Sequence, residues 1–120
     1  MLKASCHCGA ITVEVHELPE RLIDCNCSIC RRYSALWGHL TRAQATVHCA
    51  PNAQSAYLCN DRVIEFYHCN TCGCVTHYDS VDEGPDQRLS INFRMFSAKE
   101  IEAIELRYFD GADTWKILDK

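Results

Sequence analysis

The sequence predicts a mainly β fold in which bound metal supplements a modest apolar core. Three observations predict it. Apolar residues alternate with polar ones at period 2 in several short runs. Helical signals are confined to two short stretches. Seven of the ten cysteines fall into three tight clusters: Cys6-His7-Cys8, Cys25-Asn26-Cys27-Ser28-Ile29-Cys30 and Cys69-Asn70-Thr71-Cys72.

Each element follows from local pattern. Ile11, Val13 and Val15 alternate with Thr12, Glu14 and His16. Leu89, Ile91, Phe93 and Met95 alternate with Ser90, Asn92 and Arg94. Both runs read as strands with one face buried. Further β-like runs are 35–40, 46–49, 55–58, 63–68 and 106–109, and Asp82-Glu83-Gly84-Pro85-Asp86 reads as a turn or loop. Ser97-Ala98-Lys99-Glu100 has the form of a capping box, with Ser97 as N-cap and Glu100 reaching back. Ile101 and Ile104 then share a face, and Asp110-Gly111 ends the following strand. A second short helix is expected near Ser28, carrying Arg31 and Arg32.

The 120 residues are expected to form one domain, 1–120, with a core of limited size. The net charge is −4, the pI is about 5.8, and the longest basic run is the pair Arg31-Arg32. That balance argues against nucleic acid and anionic membrane as partners, since both call for a basic patch. No stretch is apolar enough to span a bilayer, and MLKASCHCGA lacks the apolar segment of a signal peptide. A cytoplasmic location is therefore expected, where thiols stay reduced. C-x-C and C-x-x-C spacings aim paired thiolates at one point, so metal is favoured over disulfides.

Cys6, Cys8, Cys69 and Cys72 form two half-sites, each ending Cys-Gly. A tight metal knuckle turns backbone N–H groups toward sulfur and often needs positive φ just after the second ligand, which glycine adopts freely. Four thiolates make a closed, structural zinc site. A redox C-x-x-C would need a βαβ context, which is absent. Cys25, Cys27 and Cys30 leave a fourth position for water, a substrate thiol or a remote ligand among Cys49, Cys59, Cys74 and the histidines. Zinc with an open position can hold a thiol as thiolate and polarise a carbonyl. The competing reading is a second structural zinc. Such a three-thiolate site should lose metal or oxidise more readily than a four-thiolate one. Arg31 and Arg32 could grip carboxylates or lie on a solvated face. Lone cysteines are usually small buried apolar residues; Cys74 lies nearest the first site. His7 should point away from the metal, and His39 and His77 could line a pocket but read first as surface or core residues.

The chain resembles the glutathione-dependent formaldehyde-activating enzyme (GFA) or CENP-V domain family of the Mss4-like fold. The resemblance runs from Cys6-His7-Cys8-Gly9 through Cys25-Asn26-Cys27-Ser28-Ile29-Cys30-Arg31-Arg32 and Phe66 with Cys69-Asn70-Thr71-Cys72-Gly73. It continues into Ile91-Asn92-Phe93-Arg94 and Phe109-Asp110-Gly111 with Trp115. It implies a β-tent zinc-binding domain with one or two short helices, structural zinc at the four-cysteine group and an active-site zinc at Cys25, Cys27 and Cys30. The implied activity adds glutathione to formaldehyde, giving S-(hydroxymethyl)glutathione, a carbon–sulfur lyase-class reaction, with Arg31 or Arg32 as candidate holders of a glutathione carboxylate. The partner implied is a small-molecule thiol or thiol adduct. A non-catalytic zinc-stabilised binding module and a thiol redox sensor are the alternatives. Where the family commonly carries a glycine after the Cys-Arg segment, this chain reads Tyr33-Ser34-Ala35-Leu36, so a different turn is expected there.

Overall fold

The computed structural model describes residues 1–59, 64–80 and 87–118, apart from the Cys59 side chain. Two sheets form the fold. The smaller has the order β1 (Leu2–Ser5), β2 (Ile11–Val15), β5 (Ala45–Cys49), all antiparallel. The larger has eight strands in the order β11 (Ile117–Leu118), β10 (Glu105–Phe109), β3 (Arg21–Cys25), β4 (Trp37–Thr41), β9 (Arg88–Asn92), β8 (Val75–Ser80), β7 (Ile64–Cys69), β6 (Gln54–Cys59). Its pairings are antiparallel except β3 with β10, which run parallel and set Phe109 opposite Cys25. Among the described residues no helix is long and apolar enough to cross a membrane.

Alternation in β2 does what its pattern requires. Ile11, Val13 and Val15 are buried, while Thr12 faces solvent. Val13, Val15 and Ala45 meet Leu22, Leu40, Leu89, Ile91, Phe93 and Phe96 between the sheets. Burying each large side chain there contributes about 1.5–3 kcal/mol. The opposite face of the large sheet carries a second cluster of Ile23, Cys25, Cys30, Ala35, Trp37, Phe66 and Tyr78. β3 divides between them, with Leu22 facing the first core and Ile23 and Cys25 the second. A strand buried on both faces shows no clean alternation, and the pattern reading missed β3 for that reason. It also missed β1 and the two-residue β11. β8 was missed because Thr76, His77 and Asp79 are polar yet buried.

The strand expected through Met95 stops at Asn92. The Asn92 side chain accepts from Arg94 N (3.1 Å) and Leu36 N (3.2 Å) and donates to the Val75 carbonyl (2.8 Å). It thereby caps a 3-10 turn over Phe93–Met95. That turn drives Phe93 into the first core, against Gly38, where a Cβ would collide with the ring. The capping box forms as expected. Ser97 accepts from Glu100 N, Glu100 accepts from Ser97 N, and α2 (Ala98–Ile101) follows. Ile101 and Ile104 both pack on the first core. The expected turn at 82–86 and Val63 lie outside the described residues.

α1 (Ser28–Tyr33) forms where a short helix was expected. Cys27 is its N-cap, its Sγ accepting from Cys30 N at 3.4 Å. Ser34 ends the helix at φ 54°, ψ 38°. The chain thus makes a left-handed turn without glycine, which costs a non-glycine residue about 1–2 kcal/mol. The Ser34 carbonyl accepts from Arg94 Nε at 2.9 Å, fixing the turn against the 3-10 segment.

Candidate metal centres

The first centre is built from two knuckles. In each, the backbone closes a turn around the first cysteine. Cys6 N donates to Ile11 O (2.9 Å) and Gly9 N to Cys6 O (3.1 Å); Cys69 N donates to Cys74 O (3.0 Å) and Gly73 N to Cys69 O (3.0 Å). Gly9 at φ 85° and Gly73 at φ 80° follow the second cysteine of each pair. A Cβ at either position would meet nothing, so conformation alone calls for glycine there. The turns aim N–H groups at sulfur: Ile11 N lies 3.4 Å from Cys6 Sγ, and Thr71 N 3.3 Å from Cys69 Sγ.

The four sulfurs of Cys6, Cys8, Cys69 and Cys72 lie within 4.8 Å of one another. Cys6 and Cys8 Sγ are 3.7 Å apart, and Cys8 and Cys69 Sγ are 3.5 Å apart. A tetrahedron of sulfurs about 2.3 Å from a central ion has edges of about 3.8 Å. The donor set therefore fits a four-coordinate thiolate-bound ion. The N–H groups of Cys72 and Thr71 draw the Cys69 thiol below its ordinary range, and those of Cys74 and Cys8 hold Cys72 down to about 5. Cys74 packs beside this group without joining it, and His7 is exposed outside it.

The second centre gathers Cys25 from the end of β3, Cys27 from the cap of α1 and Cys30 from its first turn. Their sulfurs also lie within 4.8 Å of one another. The buried indole of Trp37 donates from Nε1 to Cys30 Sγ at 3.3 Å. Hydrogen bonding with Cys30, helped by the backbone N–H groups of Cys27 and Gly111, holds the Cys25 thiol down to about 6. Cys30, the other member of that pair and buried, is pushed up. Three crowded sulfurs, one readily ionised, with N–H donors turned toward them, fit a soft metal ion. All nine cysteines whose side chains are described are free thiols.

A second loop backs this centre. Asn26 Nδ2 donates to Asp110 Oδ1 (3.0 Å), Asn26 Oδ1 accepts from Ala112 N (3.0 Å), and Asn26 N donates to Phe109 O (3.1 Å). Asp110 also accepts from Thr114 N and Oγ1, and with Asn26 these hold its carboxyl below the usual range. The clamp lays Gly111 against the site, where an added Cβ would lie 2.8 Å from Cys25 Sγ and 3.0 Å from Cys27 Cβ.

Cys25, Cys27 and Cys30 open onto a cavity of about 420 Å³. Its walls include Ile23, Trp37, Phe66, Tyr78, Phe109 and Trp115, and its polar residues are Arg21, Arg88 and His39. Trp115 is 70% exposed and meets the Phe109 ring edge-on at 5.0 Å. Neither Arg31 nor Arg32 lines this cavity; both are exposed, and Arg32 Nη1 donates to Ser28 O at 2.7 Å within its own helix. The cavity's cations come instead from β3 and β9. His39, exposed and also one of the two histidines considered for a pocket, lines the cavity, with Nδ1 2.8 Å from Ser90 Oγ and 3.2 Å from the Tyr78 hydroxyl. The residue is exposed overall, yet the packing around it, with the charges of Arg88 and Arg21, depresses its pKa to about 4. His77 is buried as expected, stacked on Tyr67 at 4.6 Å. Cys49 is exposed rather than buried. Trp37 carried no sequence signal as a site residue, whereas Asn26, Asp110 and Gly111 appeared only as parts of the resemblance motifs or of a turn, without a site role. The parallel β3–β10 pairing is what brings Asp110 and Gly111 to the cysteines.

With this geometry in view, the family description "Glutathione-dependent formaldehyde-activating enzyme" matches residues 1–106, a span that holds all seven clustered cysteines. The chain belongs to the glutathione-dependent formaldehyde-activating enzyme family. A crystal structure of a Rhodobacter sphaeroides protein, a structural genomics target, matches with a TM-score of 0.68 at 24% identity. The match covers 88% of this chain and 99% of that one, and it shows a shared fold. Among curated proteins none matches the chain. The 110–115 loop lies beyond the matched span, so this part of the site is described from the chain's own geometry.

Proposed function

We propose that this GFA-family protein is a zinc enzyme of the carbon–sulfur lyase class that adds a thiol to a small aldehyde in the cavity beside Cys25, Cys27 and Cys30. Glutathione and formaldehyde are the family's named pair. The observation that carries the reading is the contrast between the centres. Four sulfurs surround the first, whereas the second has three and faces an open cavity. A closed thiolate site suits structure, and an open one suits chemistry. A zinc ion held by the three cysteines would keep a substrate thiol ionised near neutral pH and polarise a carbonyl.

The chain's own residues serve binding and orientation. Trp37 Nε1–H and the α1 cap fix Cys30 and Cys27, and the Asn26–Asp110 clamp holds Gly111 behind Cys25. Aromatic walls exclude water from the reacting pair. In the addition, a sulfur–carbon bond forms, the carbonyl π pair moves to oxygen, and the thiol proton ends on that oxygen. The reduced thiols this requires suit a reducing compartment such as the cytoplasm, with a small-molecule thiol as partner and no nucleic acid or membrane.

Metal counting and cobalt spectroscopy test the proposal. Wild type should hold about two metals per chain and Cys27→Ser about one. The cobalt–thiolate band should change on adding glutathione. A band indifferent to every small thiol tried would refute thiol binding at the open position.

A further inference from the structure

The cavity beside the second cysteine group is chemically two-ended. Arg21, Ile23 and Cys25 lie on one face of β3, so Arg21 sits about 13 Å along the strand from Cys25. On β9, Arg88 shares a face with Ser90 and Asn92; Ser90 pairs with His39 and Asn92 with Trp37. Both arginines and His39 therefore stand at the end of the cavity away from Cys30 and its Trp37 neighbour. Among the described residues no acidic side chain lines the cavity and neither arginine has an ion pair. Ile23, Phe66 and Tyr78 complete the apolar lining, and Phe109, Trp115 and Ile117 stand beside Cys25.

Two guanidinium groups lining one cavity attract an anion there, while Glu17 and Glu20 lie with Arg21 and His39 around an adjoining pocket. Packing around the His39 ring, and secondarily the two arginine charges, favour its neutral form, so the imidazole offers a hydrogen bond beside them. The walls are wrong for a purely hydrophilic ligand. Isoleucine and aromatic rings stabilise an apolar body by burial and stacking. The volume of about 420 Å³ also exceeds what a one-carbon aldehyde needs.

We propose that the cavity binds an amphipathic monocarboxylate, its carboxylate held by Arg21 and Arg88 and its apolar body against the aromatic walls, with its far end at the cysteine group. This rests on the reading of that group as the reactive centre, and it names the substrate class as carboxylate-bearing thiols or aldehydes with an apolar chain or ring. Arg21 and Arg88 set that specificity, and Arg31 and Arg32 do not.

Both tryptophans of the chain, Trp37 and Trp115, line the cavity, so intrinsic fluorescence reports its occupancy. Metal-loaded protein is titrated with 3-phenylpropionate and with its neutral counterpart 3-phenylpropan-1-ol. The carboxylate should bind at least about tenfold more tightly, as a charge-assisted hydrogen bond implies. Arg21→Gln and Arg88→Gln should each lose much of that preference, and the double variant all of it, while alcohol binding stays within about twofold. Arg31→Gln should change nothing. Equal binding of the two probes by wild type, or a preference that survives in the double variant, overturns the proposal. Neither probe carries a thiol, so this outcome is independent of the cobalt–glutathione test of the reaction itself.

Discussion

Replacing Gly111 with alanine isolates the contact between the 110–115 loop and the second cysteine group. Gly111 lies outside the left-handed region, so the change tests space and leaves backbone preference aside. The new Cβ would lie 2.8 Å from Cys25 Sγ and 3.0 Å from Cys27 Cβ. Comfortable carbon contacts sit at about 3.5–4.0 Å, so the groups must part by roughly 0.5–1 Å. A metal site tolerates only about 0.2 Å in its ligand distances. Overpacking of this kind costs about 1–3 kcal/mol. Taken from metal binding, that is about a 5- to 150-fold loss of affinity. The assay is competition for zinc against a chromophoric chelator, resolving two sites per chain. The weaker constant should fall by that factor and the stronger stay unchanged. A second-site constant within twofold of wild type would refute the close approach of the loop to Cys25.

Three further outcomes follow from other parts of the chain. Cys72→Ser removes one of four sulfurs from the first centre; structural zinc supplies about 10–16 kcal/mol in small domains, comparable with total stability, so the variant should be unfolded by circular dichroism. A Cys72→Ser protein with wild-type Tm would contradict a structural role for that centre. Ser34→Gly removes the left-handed strain at φ 54° and should add about 0.5–1 kcal/mol, read as a higher urea midpoint at unchanged slope. His77 is held down to about 3 by burial, and the Arg42 charge adds to this. Its folded pKa thus lies below the unfolded value of about 6.5, so its contribution is complete above that pH and is lost as the pH falls toward 3. His77→Gln should flatten the fall in stability across that window by up to about 4 kcal/mol; wild-type and variant urea midpoints that run parallel with pH would rule this out.

Much of the site was legible because its chemistry is local. C-x-C, C-x-C-x-x-C and C-x-x-C fix which sulfurs can converge, and the glycines after Cys8 and Cys72 mark the turns that make them converge. The capping box at Ser97 and the alternation of β2 were legible for the same reason, since each depends on residues within one or two turns of chain. Legibility failed where burial came from distant strands. β3 carries Leu22 to one core and Ile23 and Cys25 to the other, so its apolar residues do not alternate. β8 buries Thr76, His77 and Asp79, and polarity hid it. Alternation ran past Asn92 in sequence, yet the Asn92 side chain ended the strand through bonds to Leu36 and Val75, both far away in the chain.

The sequence by itself determined the mainly β class, the four-plus-three division of the cysteines and the family, because ligand spacing and period-2 patterning are properties of a few consecutive residues. Only the tertiary structure decided what surrounds the three-cysteine group. The arginines next to it in sequence, Arg31 and Arg32, sit on the outer face of a six-residue helix, whereas Arg21 and Arg88 reach the cavity from two strands of the same sheet. Gly111 reaches Cys25 across more than eighty residues because β10 pairs parallel with β3. Strand pairing between distant segments sets such neighbours, and no local pattern encodes it.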